Sequence, residues 1–209
     1  MNKLIIFIIL TLLNITVSAQ KELAKDILER LSSKTESCDN ITIKFIFLFE
    51  NKSQNIEEQK EGTLIVEKEK FRLEMNAQTI INDGETQWVY LSDLNEVQIM
   101  EDDPEDEMMN PNKLLTIYKE NYKYNYVGTI SEEGKRLHMI EFFPKERKEF
   151  IKINIAINAI RDQLERITLY DKSGGTYTYS ITSLISNTKI KPFIFNITDS
   201  TNIEVIDLR

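Results

Sequence analysis

Reactive side chains are scarce in this sequence, which holds one histidine, His138, and one cysteine, Cys38. A nucleophile activated by His138 would need a positioned Ser or Cys and a third group to orient the imidazole. His138 instead sits inside the run RLHMIEFF with no nucleophile motif nearby, and it reads as an ordinary strand histidine. A lone thiol forms no internal disulfide, and one His with one Cys leaves only carboxylates to bind a metal. Carboxylates are densest at Glu101, Asp102, Asp103, Glu105, Asp106 and Glu107. Oxygen ligands suit calcium, but the EF-hand spacing is absent and Pro104 interrupts the run, so a solvated loop or a docking point for a basic partner accounts for it better. A glycosidase needs two carboxylates held across a sugar, which one loop does not supply. The six glycines form no phosphate-binding fingerprint. The sequence therefore offers no catalytic residue, no metal ligand set and no cofactor, and the chain is not expected to be an enzyme.

The residues with distinctive spacing are apolar. Ile43, Phe45 and Phe47 alternate along one segment, Phe71, Leu73 and Met75 along a second, and Trp88 and Tyr90 along a third. Alternation of this kind places them on one face of their strands. They form either a packed core or the wall of a ligand cavity, and spacing alone favours the core.

Several elements carry these residues. Leu23, Ala24, Ile27, Leu28 and Leu31 make one stripe of an amphipathic helix that ends near Ser32-Ser33. The segment ITIKFIFLFE is a strand, the polar tract from Asn51 to Glu61 is a turn region, and Thr63–Glu67 and Phe71–Met75 are two further strands. Apolar residues alternate with charged ones here, as in an antiparallel sheet with one solvated face. Thr79–Asn82, Gln87–Leu91 and Val97–Met100 extend the meander, with turns at Asp83-Gly84 and Ser92-Asp93. Asn110 as N-cap and Pro111 in the first turn start a second helix to Glu120, with Leu114, Leu115 and Tyr118 as its stripe. More strands follow, including FIFN and EVIDLR near the end. The expectation is a mainly β chain with some α: an incomplete antiparallel β-barrel, a strongly curved sheet of about eleven strands, covered by a lid of amphipathic helices.

Met1-Asn2-Lys3, the apolar run Leu4 to Leu13 and the small residues before Gln20 read as a secretory signal peptide over residues 1–19, cut after Ala19, leaving 20–209 as a single domain. The apolar run is too short to span a bilayer. With 26 basic and 34 acidic residues the chain is acidic, which argues against nucleic acid as a partner. Asn40, Asn51 and Asn196 open Asn-X-Ser/Thr triplets, which matter only in a glycosylating host.

The order of segments then becomes informative. An N-terminal amphipathic helix precedes ITIKF, followed by EGTLIV, KFRLE, IINDGETQWVY, EVQI and a Pro-led NPNKLL helix, and the chain closes on FIFN and IEVIDLR. In this order and spacing the chain resembles the LolA-like family of periplasmic outer-membrane lipoprotein carriers, over essentially its whole length after residue 19. The resemblance implies a soluble, monomeric periplasmic carrier. It would take acylated lipoproteins from an inner-membrane ABC-type release complex to an outer-membrane acceptor. It also implies that Ile43, Phe45, Phe47, Phe71, Leu73, Met75, Trp88 and Tyr90, with Leu114, Leu115 and Tyr118 of the lid, line an acyl cavity. Better-known members carry an Arg followed by Pro as a lid latch after the G-x-L-x-V strand. Here that place reads Glu67-Lys68-Glu69, Lys68 is the nearest equivalent, and Lys lacks the planar fork of donors. A LolA-like binder or sensor of another amphiphile, and a non-enzymatic interaction module with a solid core, are the alternative readings.

Overall fold

The computed structural model describes residues 20–102, 122–146, 150–195 and 203–209. Helix α1 spans 20–36. It carries Ala24, Ile27, Leu28 and Leu31 at helical spacing, all buried, while Leu23 stays 42% exposed. The helix runs past Ser32-Ser33 because the polar side chains there bond locally. Ser32 Oγ donates to Glu36 at 2.7 Å and Thr35 Oγ1 to the Leu31 carbonyl at 2.9 Å.

Twelve strands follow: β1 Ile41–Asn51, β2 Ile56–Glu67, β3 Lys70–Met75, β4 Gln78–Asn82, β5 Thr86–Leu91, β6 Glu96–Glu101, β7 Tyr122–Glu132, β8 Lys135–Pro144, β9 Phe150–Asn158, β10 Gln163–Asp171, β11 Gly175–Ser186 and β12 Glu204–Asp207. They form one sheet in the order β12-β6-β5-β4-β3-β2-β1-β11-β10-β9-β8-β7. Two antiparallel meanders, β1 to β6 and β7 to β11, are thus joined by the pairing of β1 with β11. Only β12 is parallel to its neighbour, β6. The curved sheet does not close, and β12 and β7 are its edges.

Tight hairpins set the register. Met75 pairs with Gln78 across Asn76-Ala77, and Glu132 pairs with Lys135 across Glu133-Gly134. Asn76, Glu133 and Gly134 take the left-handed backbone that such two-residue turns demand.

Among the described residues the sheet has twelve strands, in line with the expected eleven or so, and three other expectations change. The tract 51–61 is not a long turn: Ile56 to Glu61 continues β2 because each residue pairs along β1, and a full ladder of backbone hydrogen bonds outweighs polar composition. The described part of FIFN, residues 193–195, is not a strand, and Phe193 is buried at a bend. Among the described residues there is one helix, so a lid of several helices is not found there. The expected helix 111–120 lies outside the described residues, as does the signal segment.

Candidate functional site

The face of the sheet that receives α1 is called inner here. Cα partners in a ladder share a face, so the pairing carries that label across the sheet. In the second meander Ile140, Phe142, Ile153, Ile155, Ile157, Leu164, Ile167 and Leu169 are buried with Ala24, Ile27, Leu28 and Leu31 of α1 in one cluster. Each Ile or Leu so buried contributes about 1.5–3 kcal/mol. Arg30 Nε donates to Asp162 Oδ1 at 3.1 Å, and Lys34 reaches the Arg161 carbonyl, pinning the helix to the turn between β9 and β10. The Arg30 pair is half exposed and adds little beyond position.

The first meander carries the other half of the inner face. Phe45, Phe47, Leu64, Val66, Phe71, Ile80 and Val89 form its buried cluster, and no residue of α1 belongs to it. Ile43, Phe49, Leu73, Met75, Leu91 and Met100 pack against it while keeping part of their surface accessible. The ring of Phe45 folds over Gly62: a Cβ there would sit 2.3 Å from Phe45 Cζ, so only glycine admits this packing. Between the halves, β11 presents Tyr177 and Tyr179 to Phe45, Phe47 and Phe49, with ring centroids 4.8 to 6.5 Å apart. Both tyrosines pack against both clusters.

Six of the residues singled out from sequence therefore share the inner face: Ile43, Phe45, Phe47, Phe71, Leu73 and Met75. Trp88 and Tyr90 do not. Ile80 pairs with Leu73 and Val89 with Ile80, which places Val89 and Leu91 inside and turns Trp88 and Tyr90 to the outer face. There Trp88 pairs with Ile81 and Ile99, and Tyr90 with Val97. The segment 192–195 passes on this face beside Tyr90: Arg72 Nη2 donates to the Pro192 carbonyl at 2.7 Å, and the Phe195 ring lies 5.4 Å from Tyr90. Alternation within the strand separated the two faces correctly. Which face is inner depends on the parity of two preceding hairpins. Counting pairs back through Asn76-Ala77 is the signal that would have found Ile80, Val89 and Leu91. Tyr177 and Tyr179 depend on the long-range pairing of β1 with β11, which local spacing does not reveal. Leu114, Leu115 and Tyr118 lie outside the described residues.

Lys68 occupies the turn between β2 and β3 with φ 54°. It lines a cavity of about 320 Å³ between that turn, the end of α1 and the start of β1, together with Glu36, Asp39 and Glu69 over Ile41 and Val66. Cys38 borders the same space, its thiol turned to the Lys34 carbonyl at 3.4 Å.

His138 Nδ1 lies 2.9 Å from the Tyr126 hydroxyl and 3.4 Å from Thr129 Oγ1. Burial lowers its pKa, with Arg30 and Arg136 adding to the effect and Asp162 opposing it. On the outer face Glu165 accepts from Lys135, Asn158 and Arg161. Burial raises its pKa, and these hydrogen bonds together outweigh it and hold the carboxyl below its usual value. Asn40 and Asn51, the first two triplet asparagines, are buried and bonded: Asn40 exchanges two hydrogen bonds with Thr188, and Asn51 Oδ1 accepts from Ser53 and Gln54. Asp102 Oδ1 accepts from buried Asn82 at 2.6 Å, and the rest of the acidic run after Asp102 lies outside the described residues. Among the described residues no three of His, Cys, Asp or Glu converge as metal ligands would, and no helix is long and apolar enough to cross a membrane.

The family model for the outer membrane lipoprotein carrier protein LolA matches residues 36–198. The chain belongs to the LolA family. An uncharacterized conserved protein from Thermus thermophilus shares its fold at 10% identity and a TM-score of 0.57, covering 88% of this chain and 98% of that one. A DUF1329 family protein from Desulfovibrio piger aligns at 10% identity and a TM-score of 0.49, covering 86% and 98%. A LolA superfamily protein from Nitrosomonas europaea aligns at 11% identity and a TM-score of 0.42, covering 80% and 94%. No curated protein matches the chain. LolA-like membership fits the inner face, a broad apolar surface on a sheet that α1 covers only in part.

Proposed function

We propose that this LolA-family chain is a non-enzymatic periplasmic carrier that binds the acyl chains of lipoproteins released from the inner membrane and delivers them to the outer membrane. The observation that carries the reading is the inner face of β1 to β5. Its apolar side chains are continuous across five strands, α1 contributes nothing to their cluster, and Leu73, Met75 and Leu91, with Met100 beside them on β6, remain partly accessible. Transfer of acyl chains through water costs about 0.8 kcal/mol for each exposed methylene, so such chains need an apolar escort. Met75 and Met100 give the wall the adaptability that both uptake and release require. The signal segment 1–19, cut after Ala19, would supply the export step. The expected partners are an inner-membrane ABC-type release complex and an outer-membrane acceptor, with the carrier acting as a monomer.

Mass spectrometry of the protein purified from its own cells tests this directly. Co-purified acylated protein supports the reading, and another co-purified amphiphile would reassign the cargo within the same groove. Binding of a fluorescent acyl probe should disappear in Leu73→Glu, which places a carboxylate on the groove wall. An unchanged affinity in a folded Leu73→Glu variant would sink the groove assignment.

A further inference from the structure

Among the described residues one side-chain polar atom, Asn154 Oδ1, is buried with no group to bond it. Asn154 sits on β9 between Ile153 and Ile155 of the inner cluster, so its side chain belongs to the outer face. In register it meets Glu141 of β8 and Thr168 of β10. Its Nδ2 donates to the Tyr170 hydroxyl at 3.4 Å, and the Thr168 hydroxyl bonds to Thr178 instead. A buried carbonyl oxygen without a donor is costly and calls for an explanation. The same patch holds a cation loosely. Lys152, two residues along the strand on the same face, pairs with Tyr170 in register. Its ammonium lies 3.5 Å from Glu141 Oε1 and 4.4 Å from the centre of the Tyr170 ring. Carboxylate, ring face and amide carbonyl are three groups that recognise a cationic donor. Lys152 engages the first two and leaves the third unpaired. The ion pair is open to solvent, with 30% of the Lys152 side chain and 28% of Glu141 exposed.

We infer that Glu141, Asn154 and Tyr170 form a docking site for an arginine of a basic partner protein, with Lys152 as its internal stand-in. A guanidinium is flat, stays charged and carries five donors in a rigid fork. It can stack on the Tyr170 ring while donating to both Glu141 and Asn154 Oδ1, which the single ammonium of Lys152 does not do. The sign of the partner follows from the chain, whose 34 acidic residues outnumber its 26 basic ones and attract a cationic surface. Arg166, on the same face of β10, is held by both oxygens of Glu132 and does not compete for the site. A neutral donor such as a sugar hydroxyl would satisfy Asn154 but gain nothing from the carboxylate. The site lies on the opposite face of the sheet from the proposed acyl groove, so it stands or falls independently of the carrier reading.

Two peptides and two substitutions test it. The probe is acetyl-Gly-Arg-Gly-amide, and the control is its citrulline counterpart, which keeps the shape and lacks the charge. Binding is read by NMR at the Asn154 side-chain amide and the backbone amides of β8 to β10. The arginine peptide should shift the Asn154 amide, and the citrulline peptide should not. Lys152→Ala removes the stand-in and should tighten the arginine peptide about two- to fivefold, the size of one exposed ion pair. Glu141→Gln should weaken it about tenfold, the size of a hydrogen bond to a charged group. Both positions are partly exposed, so neither change should move the denaturation midpoint appreciably. Equal response to the two peptides, an unchanged affinity in Glu141→Gln, or shifts spread over the surface that leave Asn154 unmoved each overturn the site. So does a crystal structure in which an ordered water holds Asn154 Oδ1 and stays there in the presence of the arginine peptide, since the carbonyl then belongs to the fold alone.

Discussion

The two meanders use the same face of one sheet in opposite ways. In β7 to β10 the face is covered by α1, and Ile140, Phe142, Ile153 and Ile157 are buried against Ile27 and Leu28. In β1 to β5 the face is equally apolar, but α1 stays off it and its peripheral side chains keep accessible surface. Apolar content therefore does not distinguish the covered half from the open one. The difference lies in whether an element with a matching stripe is placed over the strands. Ala24, Ile27, Leu28 and Leu31 supply that stripe for one half only.

Substitutions sharpen this contrast. Phe142→Ala, in the covered half, should cost about 3–5 kcal/mol in chemical denaturation, since the ring is buried beside Tyr122 and Tyr124. A loss near 1 kcal/mol would remove the distinction between the halves. Gly62→Ala places a methyl against the Phe45 ring and should cost about 1–3 kcal/mol through overpacking. On the carrier reading it should also alter acyl-probe affinity, because Phe45 must shift within the proposed groove. Leu73→Ala should cost only about 1 kcal/mol, because Leu73 already meets solvent, yet weaken the probe measurably by fluorescence titration. If it destabilises as much as Phe142→Ala, the first meander is a solid core. The smallest effect concerns pH. The folded protein holds the pKa of His138 below 6.5, so as pH falls through that value the unfolded chain takes up a proton first and stability declines. In His138→Gln the part of that decline due to the imidazole should vanish, as read from denaturation midpoints between pH 7 and 5.

Much of the fold was legible. The alternation of Phe45 with Ile46 and of Phe71 with Arg72, the stripe of α1 and the turn at Asp83-Gly84 are local signals, and each has its structural counterpart. The order of segments pointed to the family. Two kinds of feature escaped. Trp88 and Tyr90 alternate along their strand as Phe71 and Leu73 do and by spacing group with them, whereas their side is set by the summed parity of hairpins, and Tyr90 meets Phe195 on the outer face. Glu57 to Glu61 looked like turn because the residues are polar, but a strand paired along its full length needs no apolar side chain to hold it. Both cases are tertiary decisions expressed through backbone pairing, which composition does not record.

The pairing of β1 with β11 has a kinetic consequence. Phe47 meets Tyr179, and Ile41 meets Ser186, so the seam that unites the sheet joins residues from opposite ends of the chain. Contacts so distant in sequence raise contact order and slow folding. A polypeptide emerging amino-terminus first presents the phenylalanine row of β1 long before the tyrosines of β11 exist to receive it. During that interval β1 is paired on one side only, through its hairpin with β2, and its other edge is open to wrong partners. Closing the seam is the longest-range pairing that this sheet must make, across about 125 to 145 residues of chain.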